Sequence, residues 1–477
     1  MTSPNIVWIY CDELRTDALG CYGHPTIQPQ TPHLDALAAN GTLFEQCFCN
    51  APVCVPSRVA TLTGRYPEET GVYHNEGAWP GYQMPVDVVT FPQVFADNGY
   101  VTANFGKWHV PPEMNRWDVC DAEGAGMRDL FTIVGRDDPS LIVPEGVPTY
   151  LGGAFPADVP YPHTVLVDNA LDWIAQAEQP FLARLSFLEP HTPVYPPPPF
   201  DTLYDPAAFR DHLTHPEATS AFEAAFAGVL NSGNLSPRQI QLAQAYYYGL
   251  VAWIDSQVGR VLDYLERAGL MDHTIIVFGA DHGASLGEGG CWAKHTYAPH
   301  VHRVPQLIQW RDTLPTGVRR QDLTESLDLA RTLFGLCEIE PPESFRGRDL
   351  FHEDPPEAIY ATLGFGEGAS RAFPNLKVGD YAVRTSQPGT TGWPRRACVR
   401  TADYRLDKNV RVNGHKPLPK EEDIALYDVR DDPLEVANVA GDPAYGTVRA
   451  HLTALLDAHV ADAVESDLSQ VYSAQGR

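Results

Sequence analysis

The stretch Cys54-Val55-Pro56-Ser57-Arg58, continuing to Leu62-Thr63-Gly64-Arg65, places a thiol, a helix-starting proline and an arginine within one turn of chain. Proline is favoured at the first position of a helix, where its missing N–H would have had no intrahelical partner. Cys54 is therefore expected at a helix N-terminus, where free amides and the macrodipole attract anions, and Arg58 adds a full charge able to grip a tetrahedral oxyanion. Taken alone, such a cysteine is more often a small core hydrophobe. A second group, Asp12-Glu13 with Asp281-His282, offers three carboxylates and one imidazole. Hard oxygen donors of this kind suit calcium, magnesium or manganese, and the imidazole tilts the set away from pure calcium chemistry.

These residues need a frame, and the apolar runs supply one. Short buried-strand patterns occur at 6–10, 101–105, 181–187 and 274–279, separated by helical stretches. Thr31-Pro32 opens one helix that stops at Gly41, and Ser236-Pro237 opens a long one that stops near Gly269. Alternating strands and helices predict an α/β fold with a mostly parallel sheet covered on both faces. Ligands of such sheets bind beyond the carboxyl ends of the strands. Asp12 and Glu13 follow the first run, Lys107 and His109 the second, His191 the third, and Asp281 with His282 the fourth. After Gly347-Arg348-Asp349-Leu350 the chain turns to shorter polar strands around Cys398-Val399-Arg400 and Tyr404-Arg405-Leu406, then an amphipathic helix over 448–460. We expect a catalytic domain at 1–352 and a smaller α+β domain at 353–477 containing an antiparallel sheet.

The motifs together resemble the formylglycine-dependent sulfatases of the alkaline-phosphatase-like superfamily. Cys54 to Arg65 resembles the family's C-x-P-S-R…L-T-G-R signature, and Gly99 to His109, with Gly106-Lys107-Trp108-His109, its second. Pro190-His191-Thr192-Pro193 is similar to its P-H-x-P element, and Asp281-His282-Gly283, Leu286-Gly287-Glu288 and Lys294 to another. Leu426-Tyr427-Asp428 to Glu435 and Asn438 resemble its C-terminal signature. The resemblance implies an alkaline-phosphatase-like fold and hydrolysis of a sulfate monoester. It implies that Cys54 is oxidised after translation to formylglycine, whose hydrate attacks sulfur, and that a maturation enzyme is a partner. It further implies that Asp12, Glu13, Asp281 and His282, with the residue at 54, hold one divalent ion, calcium first and manganese or magnesium as alternatives. Arg58 and Lys107 would stabilise the hydrate and the transferring group, Asn75, Lys107, His191 and Lys294 would bind substrate, His191 with Lys294 would protonate the leaving alcohol, and His109 would take the proton that releases sulfate.

Two departures stand out: Glu13 replaces a frequent aspartate, and Ala298-Pro299-His300 replaces an acidic residue ahead of Arg303-Val304-Pro305. His295, His300 and His302 are candidates for the substrate mouth, with solvated loop histidines the more frequent outcome. The loop-rich segments 115–160, 200–235 and 389–396 are candidates for shaping the pocket. Two rival readings are a phosphonate monoester or phosphodiester hydrolase on the same scaffold, and a non-catalytic anion-binding protein that never matures Cys54.

Charge and cysteine usage exclude other classes. With 34 Lys+Arg against 61 Asp+Glu, the net charge of −27 opposes nucleic acid and anionic membrane surfaces. It does not forbid a small anionic substrate, because surface fields are screened over about 8 Å at physiological salt and local charge decides inside a cleft. The chain opens almost directly on a strand, without an export signal, so a cytoplasmic location is expected. Nine cysteines, an odd number, argue against a disulfide framework, and Cys47 with Cys49 lack the second pair of ligands that a zinc motif needs. Self-association into a homo-oligomer stays open.

Overall fold

The computed structural model describes residues 3–135, 138, 140–143, 151–209, 220, 222–223, 235–364, 366, 377–378, 381–382, 394–412 and 414–465. Its largest layer is an eight-stranded sheet in the order Val318–Arg320, Thr42–Phe44, Gln306–Gln309, Thr274–Ala280, Asn5–Cys11, Phe181–Ser186, Val101–Gly106 and Val119–Asp121. The four runs expected from the sequence are its four adjacent central strands, all mutually parallel. Their buried faces read as continuous apolar runs because the sheet is covered on both sides, as parallel sheets require. Gln306–Gln309 departs from the parallel expectation: it pairs antiparallel with both neighbours. The chain reaches it from Thr274–Ala280 through the irregular loop that carries Asp281 to Lys294, without the helical crossover that a parallel return needs.

Register is what positions the chemistry. Cys11 lies opposite Ala280, Tyr10 opposite Ser186, and Gly106 also opposite Ser186, so the carboxyl ends of all four central strands finish nearly level. The next residues are tied across: Asp281 N–H donates to the Cys11 carbonyl at 3.1 Å and Lys107 N–H to the Ser186 carbonyl at 2.7 Å.

Local signals account for the long covering helix. Ser236 Oγ accepts from Gln239 N–H at 3.3 Å while Gln239 Oε1 accepts from Ser236 N–H at 2.9 Å, a capping box that starts Pro237–Arg267. Gly269, with φ +69°, ends that stretch in the left-handed region that favours glycine. The shorter Pro32–Ala39 helix begins where Thr31-Pro32 placed it, and the Asp255 carboxylate accepts its His33 and Leu34 amides at 3.2 and 2.8 Å.

The later strands Ile359–Leu363, Arg395–Arg400, Tyr404–Arg411 and Ala425–Asp428 form a four-stranded antiparallel sheet, backed by the helix Gly446–His459. One apolar cluster spans Ile6 to Leu350; a second, smaller one unites Ala397, Val399, Leu406 and Leu426 with Leu452 and Leu456 of that helix. The small sheet is bonded to loops beside the large one: Thr362 N–H donates to the Asn50 carbonyl at 3.0 Å, and the Tyr297 hydroxyl to the Arg396 carbonyl at 2.7 Å. Among the described residues no helix is long and apolar enough to cross a membrane. None of the nine cysteines is in a disulfide; seven are buried, and Cys47 and Cys49 sit in the core, Cys47 Sγ donating to Gln306 Oε1 at 2.8 Å. Replacing Leu456 by Ala leaves a cavity under the small sheet and is expected to cost about 2–5 kcal/mol, measured by denaturant unfolding.

Candidate active site

The helix Cys54–Thr63 lies with all ten of its residues buried beside the level strand ends. Cys54 is its first residue, with Val53 as N-cap, so Pro56 sits two positions further in than the sequence pattern suggested. The displacement costs nothing in hydrogen bonding, since position three of a helix also lacks an intrahelical acceptor for its N–H. Gly64 ends the helix at φ +59°, where a Cβ would stand 2.4 Å from the Phe345 ring. Side chains along the helix bind it to the sheet: Ser57 Oγ donates to the Asp281 carbonyl at 2.6 Å, and the Thr61 and Tyr10 hydroxyls are 3.4 Å apart.

Arg58 does most of the joining. Its Nε donates to Asp281 Oδ2 and its Nη2 to Asp12 Oδ2, both at 2.9 Å, while Nη1 reaches Ser186 Oγ at 3.0 Å and the Lys107 carbonyl at 3.3 Å. All three side chains are fully buried. Every nitrogen of the guanidinium is thus engaged by the protein, and Arg58 lies behind the carboxylates with its plane near the Tyr10 ring.

Cys54 Sγ lies 3.0 Å from Lys294 Nζ, 3.4 Å from His282 Nε2 and 3.5 Å from Asp12 Oδ1. Burial alone would raise its pKa, but Lys294, Lys107 and His282 outweigh burial and hold the thiol well below its ordinary value. Burial lowers His109, whose ring is also hydrogen-bonded toward Cys54. Asn75 opens the turn Asn75–Ala78, and its Oδ1 accepts the Val55 N–H at 3.0 Å. It caps the nucleophile helix and turns its Nδ2 toward no acceptor among the described residues.

Asp12, Cys54, Asp281 and His282 bring one donor atom each to within 4.8 Å of one another, as do Asp12, Glu13 and His191. Asp12 is additionally paired with Lys107 Nζ, and burial's upward push on it is overcome by Lys107, His191 and Arg58. Asp281 meets His282 Nε2 at 3.6 Å as well as Arg58, yet burial and the Asp12 charge outweigh both and push it up to about 6. Burial opposes the charged form of His282, but Asp281 and Cys54 outweigh it and raise the imidazole to about 9. Two carboxylates facing each other so closely that one resists ionisation, with an imidazole and the residue at 54 beside them, make a donor set that a hard divalent cation satisfies. Glu13 points elsewhere: its Oε1 accepts from Lys294 Nζ at 2.5 Å and lies 3.3 Å from His191 Nε2, and its Oε2 accepts from Thr192 N–H at 3.2 Å. All eleven residues singled out in the sequence therefore converge on one centre.

Other expectations fare differently. His302 is a core residue, its Nε2 bonded to the Cys49 carbonyl at 3.0 Å and its ring packed on Phe48 and Tyr297, not at a substrate mouth. His300 Nε2 is 2.9 Å from Ser285 Oγ. His295 is buried, with its ring stacked 5.3 Å from that of His74, whose Nδ1 meets Glu76. Of the segments expected to shape the pocket, most of 200–235 and of 389–396, and 144–150 within 115–160, lie outside the described residues. Tyr10, Ser186 and Tyr247 were not anticipated. The Tyr247 hydroxyl donates to the Glu13 carbonyl at 2.5 Å and accepts from Arg15 N–H at 2.9 Å, but in Tyr246-Tyr247-Tyr248 nothing marks one ring as special.

The sulfatase family model matches residues 4–339. The chain belongs to the sulfatase family. An ulvan-active sulfatase of Formosa agariphila is 28% identical over 99% of this chain and 84% of its own length. The iduronate 2-sulfatase of Homo sapiens is 26% identical over 93% of this chain and 92% of its own. A phosphonate monoester hydrolase from Silicibacter pomeroyi superposes with a TM-score of 0.74 at 25% identity, covering 98% of this chain and 97% of the other. The sulfatase has the alkaline-phosphatase-like fold and is a sulfuric ester hydrolase, so the non-catalytic reading is set aside.

Replacing Arg58 by Met would leave two buried carboxylates facing each other without their bridge. The expected loss is about 3–5 kcal/mol of stability, the usual cost of breaking a buried pair by removing one partner. Chemical denaturation checks it, and a variant as stable as the parent would show that the bridge is dispensable.

Proposed function

We propose that this sulfatase cleaves sulfate monoesters with a formylglycine matured from Cys54 by a dedicated enzyme and with one divalent cation held by Asp12, Asp281 and His282 beside position 54. The observation that carries this reading is the placement of Cys54 Sγ at a buried helix N-terminus, within 3.5 Å of Asp12, His282 and Lys294. Calcium is the first candidate cation, with manganese and magnesium next, since oxygen donors dominate and one imidazole is present. When present, the hydrated aldehyde supplies a hydroxyl nucleophile with a second hydroxyl to release it, and the cation supplies positive charge at the sulfate oxygens.

The remaining work falls to side chains in place. Lys107 and Lys294 stand beside position 54 with charge that meets the transferring group, and Asn75, bonded through Oδ1 to the Val55 N–H, offers its Nδ2 as a neutral donor. His109, kept neutral by burial, is suited to accept the proton of the second hydroxyl. Lys294 and His191, in contact at 2.9 Å, stand together as the source of a proton for the leaving alcohol. Arg58 acts through the carboxylates it holds. Phosphonate monoester hydrolysis remains the second reading, supported by the likeness to the Silicibacter pomeroyi enzyme. Rates on matched aryl sulfate and aryl phosphonate esters separate the two, and a faster sulfate reaction is expected.

Mass analysis of the peptide containing Cys54, from protein made with the maturation enzyme, is expected to show exchange of thiol for aldehyde; an unmodified thiol in active enzyme would refute the mechanism. In matured protein Lys294→Ala is expected to lower kcat/KM for an aryl sulfate by about 10²–10³, the cost of losing one electrostatic stabiliser.

A further inference from the structure

Glu13 stands where a frequent family aspartate would be, and its side chain does something a shorter one cannot. Its backbone is pinned at φ +61°, with its N–H donating to Asp281 Oδ1 at 3.2 Å and its carbonyl accepting the Tyr247 hydroxyl at 2.5 Å. From that fixed origin the carboxylate reaches Lys294, His191 and Thr192. Oε1 accepts from Lys294 Nζ at 2.5 Å and lies 3.3 Å from His191 Nε2; Oε2 accepts the Thr192 N–H at 3.2 Å. Thr192 is itself held through its Oγ1, which accepts from Trp292 Nε1 at 3.0 Å.

Donor and acceptor chemistry fixes the proton directions. A carbonyl oxygen only accepts, so His191 Nδ1, bonded to the Thr192 carbonyl, carries the ring hydrogen. His191 Nε2, the remaining ring nitrogen, lies 2.9 Å from Lys294 Nζ and 3.3 Å from Glu13 Oε1. The three N–H bonds of the Lys294 ammonium are distributed over Glu13 Oε1, His191 Nε2 and Cys54 Sγ. Glu13 Oε1 thus touches both Lys294 and His191, and Lys294 in turn touches position 54.

We propose that Glu13 is a positioning residue for the proton donor: it orients Lys294 and His191 on the leaving-group side and leaves the cation to Asp12, Asp281, His282 and the residue at position 54. This rests on the reading that one divalent cation binds beside Cys54. The grouping of Asp12, Cys54, Asp281 and His282 is complete without Glu13, and the trio that does include Glu13 has the Lys294 ammonium bonded to two of its members. A second cation there would face that ammonium.

The test compares parent, Glu13→Gln, Glu13→Asp and Asp281→Asn in matured protein, with folding checked by circular dichroism. Calcium chloride, then manganese chloride, is titrated calorimetrically, and kcat/KM is measured over sulfate esters of rising leaving-group pKa. Glu13→Gln is expected to keep one cation per chain with affinity within about threefold, well under one tenfold step of 1.4 kcal/mol. Asp281→Asn is expected to lose at least about tenfold. Glu13→Gln should slow 4-nitrophenyl sulfate by less than about tenfold and an alkyl sulfate by about 10²–10⁴, the range of general acid catalysis. Glu13→Asp, which keeps the charge and shortens the reach, should follow the same pattern. Cation binding lost in Glu13→Gln but present in the parent, or a rate loss independent of the leaving group, overturns the role given to Glu13. A parent that binds neither cation overturns the single-cation reading itself, and the division of ligands with it.

Discussion

The buried bridge from Arg58 to Asp12 and Asp281 is the constraint on which the rest of the site depends. Three fully buried charges meet at 2.9 Å contacts, and none could be left alone there without a large desolvation penalty. Level strand ends make the bridge geometrically possible, because Cys11 opposite Ala280 delivers the two aspartates side by side. The helix that carries Arg58 also carries Cys54 one turn earlier, so closing the bridge sets the distance from the reactive residue to the carboxylates. Fold and chemistry are coupled through that single side chain.

Around the bridge, basic and acidic groups alternate in contact with one another. Lys107 leans on Asp12, Lys294 on Glu13 and Cys54, and His282 on Asp281 and Cys54. A site of this kind is preorganised: its dipoles and charges are already aimed before an anion arrives, and such aim supplies much of the rate enhancement in many enzymes. The same alternation divides the centre in two. On the proposed reading, Asp12, Asp281, His282 and position 54 serve the cation, and the Lys294, His191 and Glu13 group serves the departing alcohol.

The central strands were legible because buried parallel strands are continuous apolar runs, and Asp12, Glu13, Lys107, His109, His191, Asp281 and His282 because each follows such a run; Cys54, Arg58, Asn75 and Lys294 were legible only through the motif resemblance. The long helix was legible at both ends, through Ser236-Pro237 and Gly269, since capping chemistry is local. What stayed hidden depends on contacts distant in sequence. The antiparallel strand Gln306–Gln309 has no local mark of its direction, which follows from how the preceding loop returns. The helix begins at Cys54 and not at Pro56, with Val53 extended at its N-cap and the free Val55 N–H taken by Asn75 from outside the helix. His302 reads as a loop histidine until Phe48, Tyr297 and the Cys49 carbonyl close around it. The direction of Glu13 is set by Tyr247 and Asp281, more than 200 positions away, so its departure from aspartate was visible but its purpose was not.

On this reading position 54 is the nucleophile of sulfate ester cleavage, held where the bridge puts it. The most direct measurement is the rate of sulfate release across preparations matured to graded extents, each with its converted fraction of Cys54 determined by peptide mass. A straight line through the origin, with no turnover by the unconverted chain, is the predicted result. A rate that does not change with conversion would show that the chemistry resides elsewhere.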